Sequence, residues 1–386
     1  MKKLLISPSN MALGEQESQI YQNILKQATE ISLNLMAVKV ENHPEDFLGW
    51  CYELLDVAKN RINFDLLDDH QLPTVKKLQD LLISAISFLQ LKTLRIAPWP
   101  MVTAFINDHK TVLVLEEQLK LVEYLQPLRE QPLATMSKED RLAFTGKHAA
   151  SLDTSVYQFD VEWFASTKNA KAFHQLLDDL PSAFDKALAE IPSTGEVTLA
   201  HYQQFTIAYL SAFADSSDKP TLAPATRLLA MRRPDIFTPI TPSKLEPLCQ
   251  ALGITKLSNR DFERYWSDIV CNITTLPWFM KPTPVDELEQ NLAAIKALLP
   301  CLFYYADENT ATNSNYYKLL HKPKRSSTAK KATRRGKESA TVLVDRALED
   351  DSIPEHIRAK RDSIISEVEK GRSVADTISL MRTIFG

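Results

Sequence analysis

Glycine is scarce in this chain, at 8 of 386 residues, where a usual share of roughly 7 % would give about 27. Glycine supplies the positive-φ turns of hairpins and the close backbone approach of phosphate-cradling loops. Hairpin-rich sheets and mononucleotide folds are therefore disfavoured. Neither G-x-x-x-x-G-K-[ST] nor G-x-G-x-x-G occurs, which removes nucleotide hydrolysis of the P-loop type. The absence of G-x-S-x-G removes the hydrolase elbow. None of the 8 histidines is spaced H-x-x-x-H, so a helical zinc pair is absent and no cofactor or metal motif is legible. Cysteine is rare too. Cys51, Cys249, Cys271 and Cys301 form no C-x-x-C pair and each sits in an apolar stretch. Four buried, reduced thiols are expected, in a reducing compartment. No apolar run reaches 18 residues, and the apolar stretch before Ser7 and Pro8 is too short for a secretory core. A cytoplasmic protein without membrane contact is expected.

What remains is a globular composition, 44 % hydrophobic and 24 % charged. A chain of 386 residues has room for two or three domains. The apolar residues recur at helical steps. Ile20, Ile24, Ala28, Ile31 and Leu35 form one stripe, and Val75, Leu78, Leu82, Ala85 and Leu89 form another after Pro73. Ser137 with Asp140, and Thr198, are helix caps. Pro181 separates helices over 170–180 and 182–191, and Gly253 fits the position just past a helix end. Ser243 with Glu246, and Ser258 with Asp261, have capping spacing, and Thr283-Pro284 reads as a helix start. One segment differs. Met101–Ile106 and Thr111–Leu115, rich in β-branched residues around a polar tetrapeptide, read either as a small β-hairpin near 101–115 or as the start of the next helix.

The predicted architecture is mainly α. A helical domain over 1–130 is followed by a second multi-helix bundle over 137–305. A polar and basic linker over 306–340 then leads to a C-terminal helical element over 341–386. That element's stripes, such as Val344, Leu348, Ile357 and Ile364, are short. It is expected to dock on the body, on a second copy or on a partner helix.

Charge is unevenly distributed. The net charge is −4, yet His321–Lys337 holds eight cations and no acid. They are Lys322, Lys324, Arg325, Lys330, Lys331, Arg334, Arg335 and Lys337, and without them the remainder stands at −12. This arm has no apolar side chain larger than alanine or proline, so it is not expected to fold alone. Such density of Lys and Arg suits phosphate neutralisation with counterion release. A charged, extended linker and docking on an acidic protein surface are the other readings.

Two further features bear on binding. The helices expected at 243–252 and 258–273 resemble a helix-turn-helix pair, with Lys256, Arg260 and Arg264 near the second helix's start. An ordinary bundle pair is the alternative. Trp266, Trp278, Tyr304, Tyr305, Tyr316 and Tyr317 are candidate stacking residues, with Tyr316-Tyr317 nearest the arm. Asp108-His109-Lys110 has the D-x-K form of metal-dependent nucleases, but it falls in a turn rather than on a strand.

Thr226-Arg227-Leu228-Leu229-Ala230-Met231-Arg232-Arg233-Pro234-Asp235-Ile236-Phe237 and Ala251-Leu252-Gly253-Ile254, with Ile191–Val197 and Tyr202 upstream, form a connected pattern. It resembles helical domains of bacterial restriction and phage-defence proteins. The resemblance spans about 190–270 and carries no catalytic residue with it. Together these features point to a non-enzymatic nucleic-acid-associated accessory protein, in a bacterial defence or mobile-element setting. A protein–protein adaptor docking through 341–386 and a divergent metal-dependent nuclease are the alternatives.

Overall fold

A computed structural model describes residues 1–68, 71–304, 309–321, 340–348, 353–369, 374 and 377–380. All regular structure among the described residues is helical. The hairpin near 101–115 does not form. Trp99–Asp108 is an α-helix with proline in its first turn, a turn follows, and the next helix is Leu115–Leu125. Pro98 and Pro100 favour a helix start, and Val102 and Ile106 then lie four residues apart on a buried stripe. Packing of that stripe overrides the β-propensity of single residues.

The chain divides into two compact units, 1–321 and 322–386. In the first, one hydrophobic core runs from Leu4 to Tyr304. The connector expected at 127–136, between the two predicted helical domains, is no break in it: Leu128, Leu133 and Met136 are buried members. The organising element is the 23-residue helix Leu72–Leu94, about 35 Å long at 1.5 Å per residue. Pro73 sits in its first turn. From Ala85 to Leu91 every residue is buried, so the stripe of its early turns gives way to burial on all sides. Glu15–Glu30 and Phe47–Asp56 pack on it from the N-terminal side of the sequence, and Leu245–Leu252 packs on it from far downstream. Several polar groups inside this packing find partners. The Ser87 hydroxyl donates to the Tyr304 carbonyl at 2.7 Å and accepts from Lys244 Nζ at 2.8 Å. The Trp50 indole donates to the Leu4 carbonyl at 2.8 Å, and that of Trp278 donates to the Leu94 carbonyl at 3.0 Å.

Several expected caps are in place. Ser137 Oγ accepts from the Asp140 amide at 3.0 Å, and Thr198 Oγ1 from the His201 amide at 3.4 Å. Gly253 ends Leu245–Leu252 at φ 71°. Others shift. Ser243 lies inside a 3-10 turn, Pro242–Lys244, that runs straight into that helix, so it caps nothing. Asp261 rather than Ser258 caps the following helix, accepting from the Arg264 amide at 3.1 Å. Asp286 rather than Thr283 caps Glu287–Ala294, accepting from the Glu289 amide at 2.8 Å. In both cases a carboxylate three residues downstream displaces the hydroxyl, as the stronger acceptor for first-turn amides. All four cysteines are free; Cys51 and Cys249 are buried as expected, but Cys271 is exposed and Cys301 is only partly buried.

Arg227, on the helix Leu222–Arg232, is fully buried without a carboxylate. Its five N–H donors are spent on backbone carbonyls. Nε donates to Phe144 at 3.1 Å, Nη2 to Ala143 at 3.1 Å and Val161 at 3.2 Å, and Nη1 to Phe164 at 3.0 Å and to Trp163. Burial pushes its pKa down to about 9. The carbonyls it binds belong to the end of Lys138–Thr145 and to a loop in which Phe164 and Ala165 have φ of 61° and 84°. Such left-handed backbone costs on the order of 1–3 kcal/mol per residue. The guanidinium holds it by binding carbonyls of both segments at once.

The second unit has its own small core of Val344, Leu348, Ile353, Ile357, Ile364 and Ile378. It is built on Ala340–Leu348, Glu355–Arg358 and Arg361–Glu369. A two-pronged Arg361–Asp345 pair, at 2.6 and 2.9 Å, orients two of these helices.

Candidate functional site

The eight cations of the arm, Lys322, Lys324, Arg325, Lys330, Lys331, Arg334, Arg335 and Lys337, lie outside the described residues. The three cations of the expected helix-turn-helix are described, and they differ. Lys256 is paired with Glu246 at 2.9 Å. Arg264 is bound to Asp268 at 2.7 Å and to the Thr255 carbonyl at 2.9 Å. Arg260 precedes the helical turn Phe262–Arg264, so the two arginines do not share a helix face. The long turn after Gly253 is closed by Arg264 itself, which makes this a bundle pair braced by its own cations.

Arg260 is the exception. Its guanidinium has no partner among the described residues. It lines a cleft of about 670 Å³ that four separate segments build: 166–173, 213–224, 241–243 and 259–260. Three helix starts line this cleft. Lys171–Asp179 begins after Ala170, Leu222–Arg232 after Thr221, and the turn Pro242–Lys244 after Thr241. None has a side-chain cap; the Leu222 amide donates to the Asn259 carbonyl and the Lys244 amide to the Thr241 carbonyl, each at 2.8 Å, so the free first-turn N–H groups lie mainly at the start of Lys171–Asp179. Lys168 and Lys219 join Arg260, against the single acid Asp218. Lys219 has no partner among the described residues, and Lys168 reaches Glu162 only at 3.4 Å. Cations, uncapped helix starts and hydroxyl side chains together favour anions.

The wall of this cleft is held from behind. Thr167 donates its hydroxyl hydrogen to the Thr145 carbonyl at 2.7 Å, and its amide donates to the Gly146 carbonyl at 2.9 Å. With that hydrogen committed, His174 Nε2 is the donor in its contact with Thr167, at 3.1 Å to the carbonyl. Burial, with Lys147 nearby, pushes the His174 pKa down to about 4.

Of the stacking candidates, Trp278 and Tyr304 are core residues, and Trp266 stacks on Tyr202 at 5.2 Å. Tyr305 lies outside the described residues. Tyr316 and Tyr317 lie on the helix Asn315–Leu320, where Tyr317 is exposed and stacks on His321 at 3.9 Å. That helix is anchored by Asp160, which accepts from the Asn315 side-chain amide at 3.1 Å. Asp108 ends a helix and His109 bonds back to the Phe105 carbonyl at 2.8 Å. Among the described residues, no group of three or more His, Cys, Asp or Glu side chains is placed to hold a metal ion. Nor is any helix among them long and apolar enough to cross a membrane.

Sequence reasoning found Arg260 but not Lys168 or Lys219. Nothing in their local sequence marks them, because the cleft is assembled from segments up to about ninety residues apart. Comparison with protein-family models, curated proteins and solved structures finds no match to this chain.

Proposed function

We propose that the protein associates with nucleic acid through its phosphates, as an accessory or regulatory factor without catalysis of its own. The observation that carries this reading is the acid-free arm of eight cations within residues 321–337. The cleft around Arg260 supports it, adding unpartnered cations on the body. Phosphate contacts of this kind carry little sequence information. The resemblance over 190–270 supports a bacterial defence or mobile-element setting. The test is a salt titration of duplex and single-stranded DNA binding. If most arm cations engage duplex phosphates, log K falls against log salt with a slope of up to about −7. Neutralising the eight arm residues should flatten that slope and weaken binding. Arg260→Gln should lower the slope by about one unit. Unchanged binding by the neutralised arm overturns the proposal.

A second reading has one observation in its favour. The small second unit leaves Leu343 and Leu380 exposed. As an adaptor, the protein would dock a partner there. Truncation after Lys337 should then abolish a complex while the body stays folded, and a tail-less chain that keeps every partner rules this out.

A further inference from the structure

The two halves of the pattern over 190–270 meet in space, and they meet at a place the cleft around Arg260 does not include. The turn Pro192-Ser193-Thr194-Gly195 is pinned by Arg233, which donates to the Pro192 and Gly195 carbonyls, each at 2.7 Å. Arg233 also grips Asp235 with two bonds, at 2.9 and 2.8 Å. Four of the five N–H donors of Arg233 are thus used, and both oxygens of Asp235 are engaged. Arg129 and Arg232 line the same open depression, of about 720 Å³. Their situation is the reverse. Neither forms an ion pair among the described residues. Arg232 donates only to the Arg129 backbone carbonyl. The Arg129 side chain makes no hydrogen bond among the described residues, and the Nε atoms of both arginines are buried without an acceptor. Burial holds both guanidinium groups below the ordinary arginine range. Glu130 stands on the rim without a bond to either. Ser193 and Thr194 are exposed on the pinned turn, with hydroxyls uncommitted among the described residues.

Two half-buried cations line one depression, and the acids that lie near them, Asp235 for Arg129 and Glu130 and Asp185 for Arg232, form no ion pair with them, so their burial is only partly compensated. An incoming anion relieves both costs at once. The donors available are two planar forks and two hydroxyls. That number and spread suits a tetrahedral oxyanion better than a carboxylate, whose two oxygens one arginine already occupies. We propose that this depression is a phosphate site, taking a phosphate monoester or inorganic phosphate. Arg129 and Arg232 supply the charge and Ser193 and Thr194 the hydroxyl donors. The turn is preorganised by Arg233, so little ordering accompanies binding. This inference is independent of the nucleic-acid proposal.

The test is calorimetric titration of the full chain with sodium phosphate, against sodium chloride at equal ionic strength. Saturable binding of phosphate alone is expected. Arg129→Gln should weaken it at least tenfold, as should Thr194→Asp, which places a carboxylate on an exposed turn and threatens no core. The binding event that Arg129→Gln removes should persist in Arg260→Gln, which separates this site from any anion held in the cleft. Competition identifies the source: a 5′-phosphorylated oligonucleotide that displaces phosphate where its 5′-hydroxyl counterpart does not marks a nucleic-acid end, and ribose 5-phosphate that does so marks a small phosphorylated molecule. No saturable phosphate binding overturns the inference. So does wild-type affinity in Thr194→Asp, even should Arg129→Gln fail to fold.

Discussion

Arg227 and the Arg129–Arg232 pair stand on opposite sides of one distinction. All three are arginines removed from water to some degree, and none has a carboxylate partner among the described residues. Arg227 is wholly enclosed and has every donor matched to a backbone carbonyl. Arg129 and Arg232 are half-buried, with donors left over. A buried cation with a full set of acceptors is part of the framework. A half-buried one without them has capacity for something else. The comparison separates structural from binding arginines by counting donors rather than by charge.

The largest expected effect breaks the first side. Arg227→Met should destabilise the chain by about 3–5 kcal/mol, because five carbonyls each lose a donor inside the core and most of them have no other. Arg227→Lys should recover little, since three donors on a point charge cannot span five acceptors. Chemical denaturation measures both, and a near-neutral Arg227→Met would refute the framework role. His174, behind the same loop, should make stability depend on pH. Its folded pKa lies near 4, below the ordinary 6.5. The unfolded chain therefore binds the proton more readily between those values. Stability is fully present above pH 6.5 and falls as pH drops to 4, by on the order of 3 kcal/mol. His174→Gln should flatten that window in melts across pH.

Gly146→Ala should cost about 1–3 kcal/mol. Gly146 has φ 75°, and an added Cβ would lie 2.7 Å from the Ala165 carbonyl oxygen and 3.2 Å from the Arg227 guanidinium. A wild-type midpoint for that variant would show the loop to be looser than its contacts imply. The smallest effect sharpens the other side. Without phosphate, Arg129→Gln should change stability by less than about 1 kcal/mol, or raise it, because it removes a cation that nothing satisfies. A large loss there would place Arg129 with Arg227 among framework residues.

The helical class was legible because apolar periodicity is a local property, as in Val75, Leu78, Leu82 and Ala85. Caps were legible where one side chain decides them, as at Ser137 and Thr198, and less so where a nearby aspartate competed, as at Asp261 and Asp286. The β-branched run near 101–115 misleads because its burial is set by partners elsewhere in the chain. For the cleft, Arg260 was visible as a cation near a helix start, but its freedom was not. That freedom depends on Glu246 and Asp268 taking Lys256 and Arg264 and leaving Arg260 alone. The 226–237 segment drew notice as a pattern, yet its arginines divide into opposite roles by donor counts that only the packed chain defines.

The helix Leu72–Leu94 has a consequence for how the chain is made. Its last turns are enclosed partly by Leu245–Leu252, and Ser87 at their centre waits for Lys244. During synthesis, some one hundred and fifty residues must emerge before that enclosure closes. Until then Ile86, Phe88, Leu89 and Leu91 remain open to other chains. Ribosome-arrested fragments ending before residue 240 should be protease-sensitive across 85–94, and fragments ending past 300 should resist cleavage there. Translation rate over that interval thus becomes a determinant of yield.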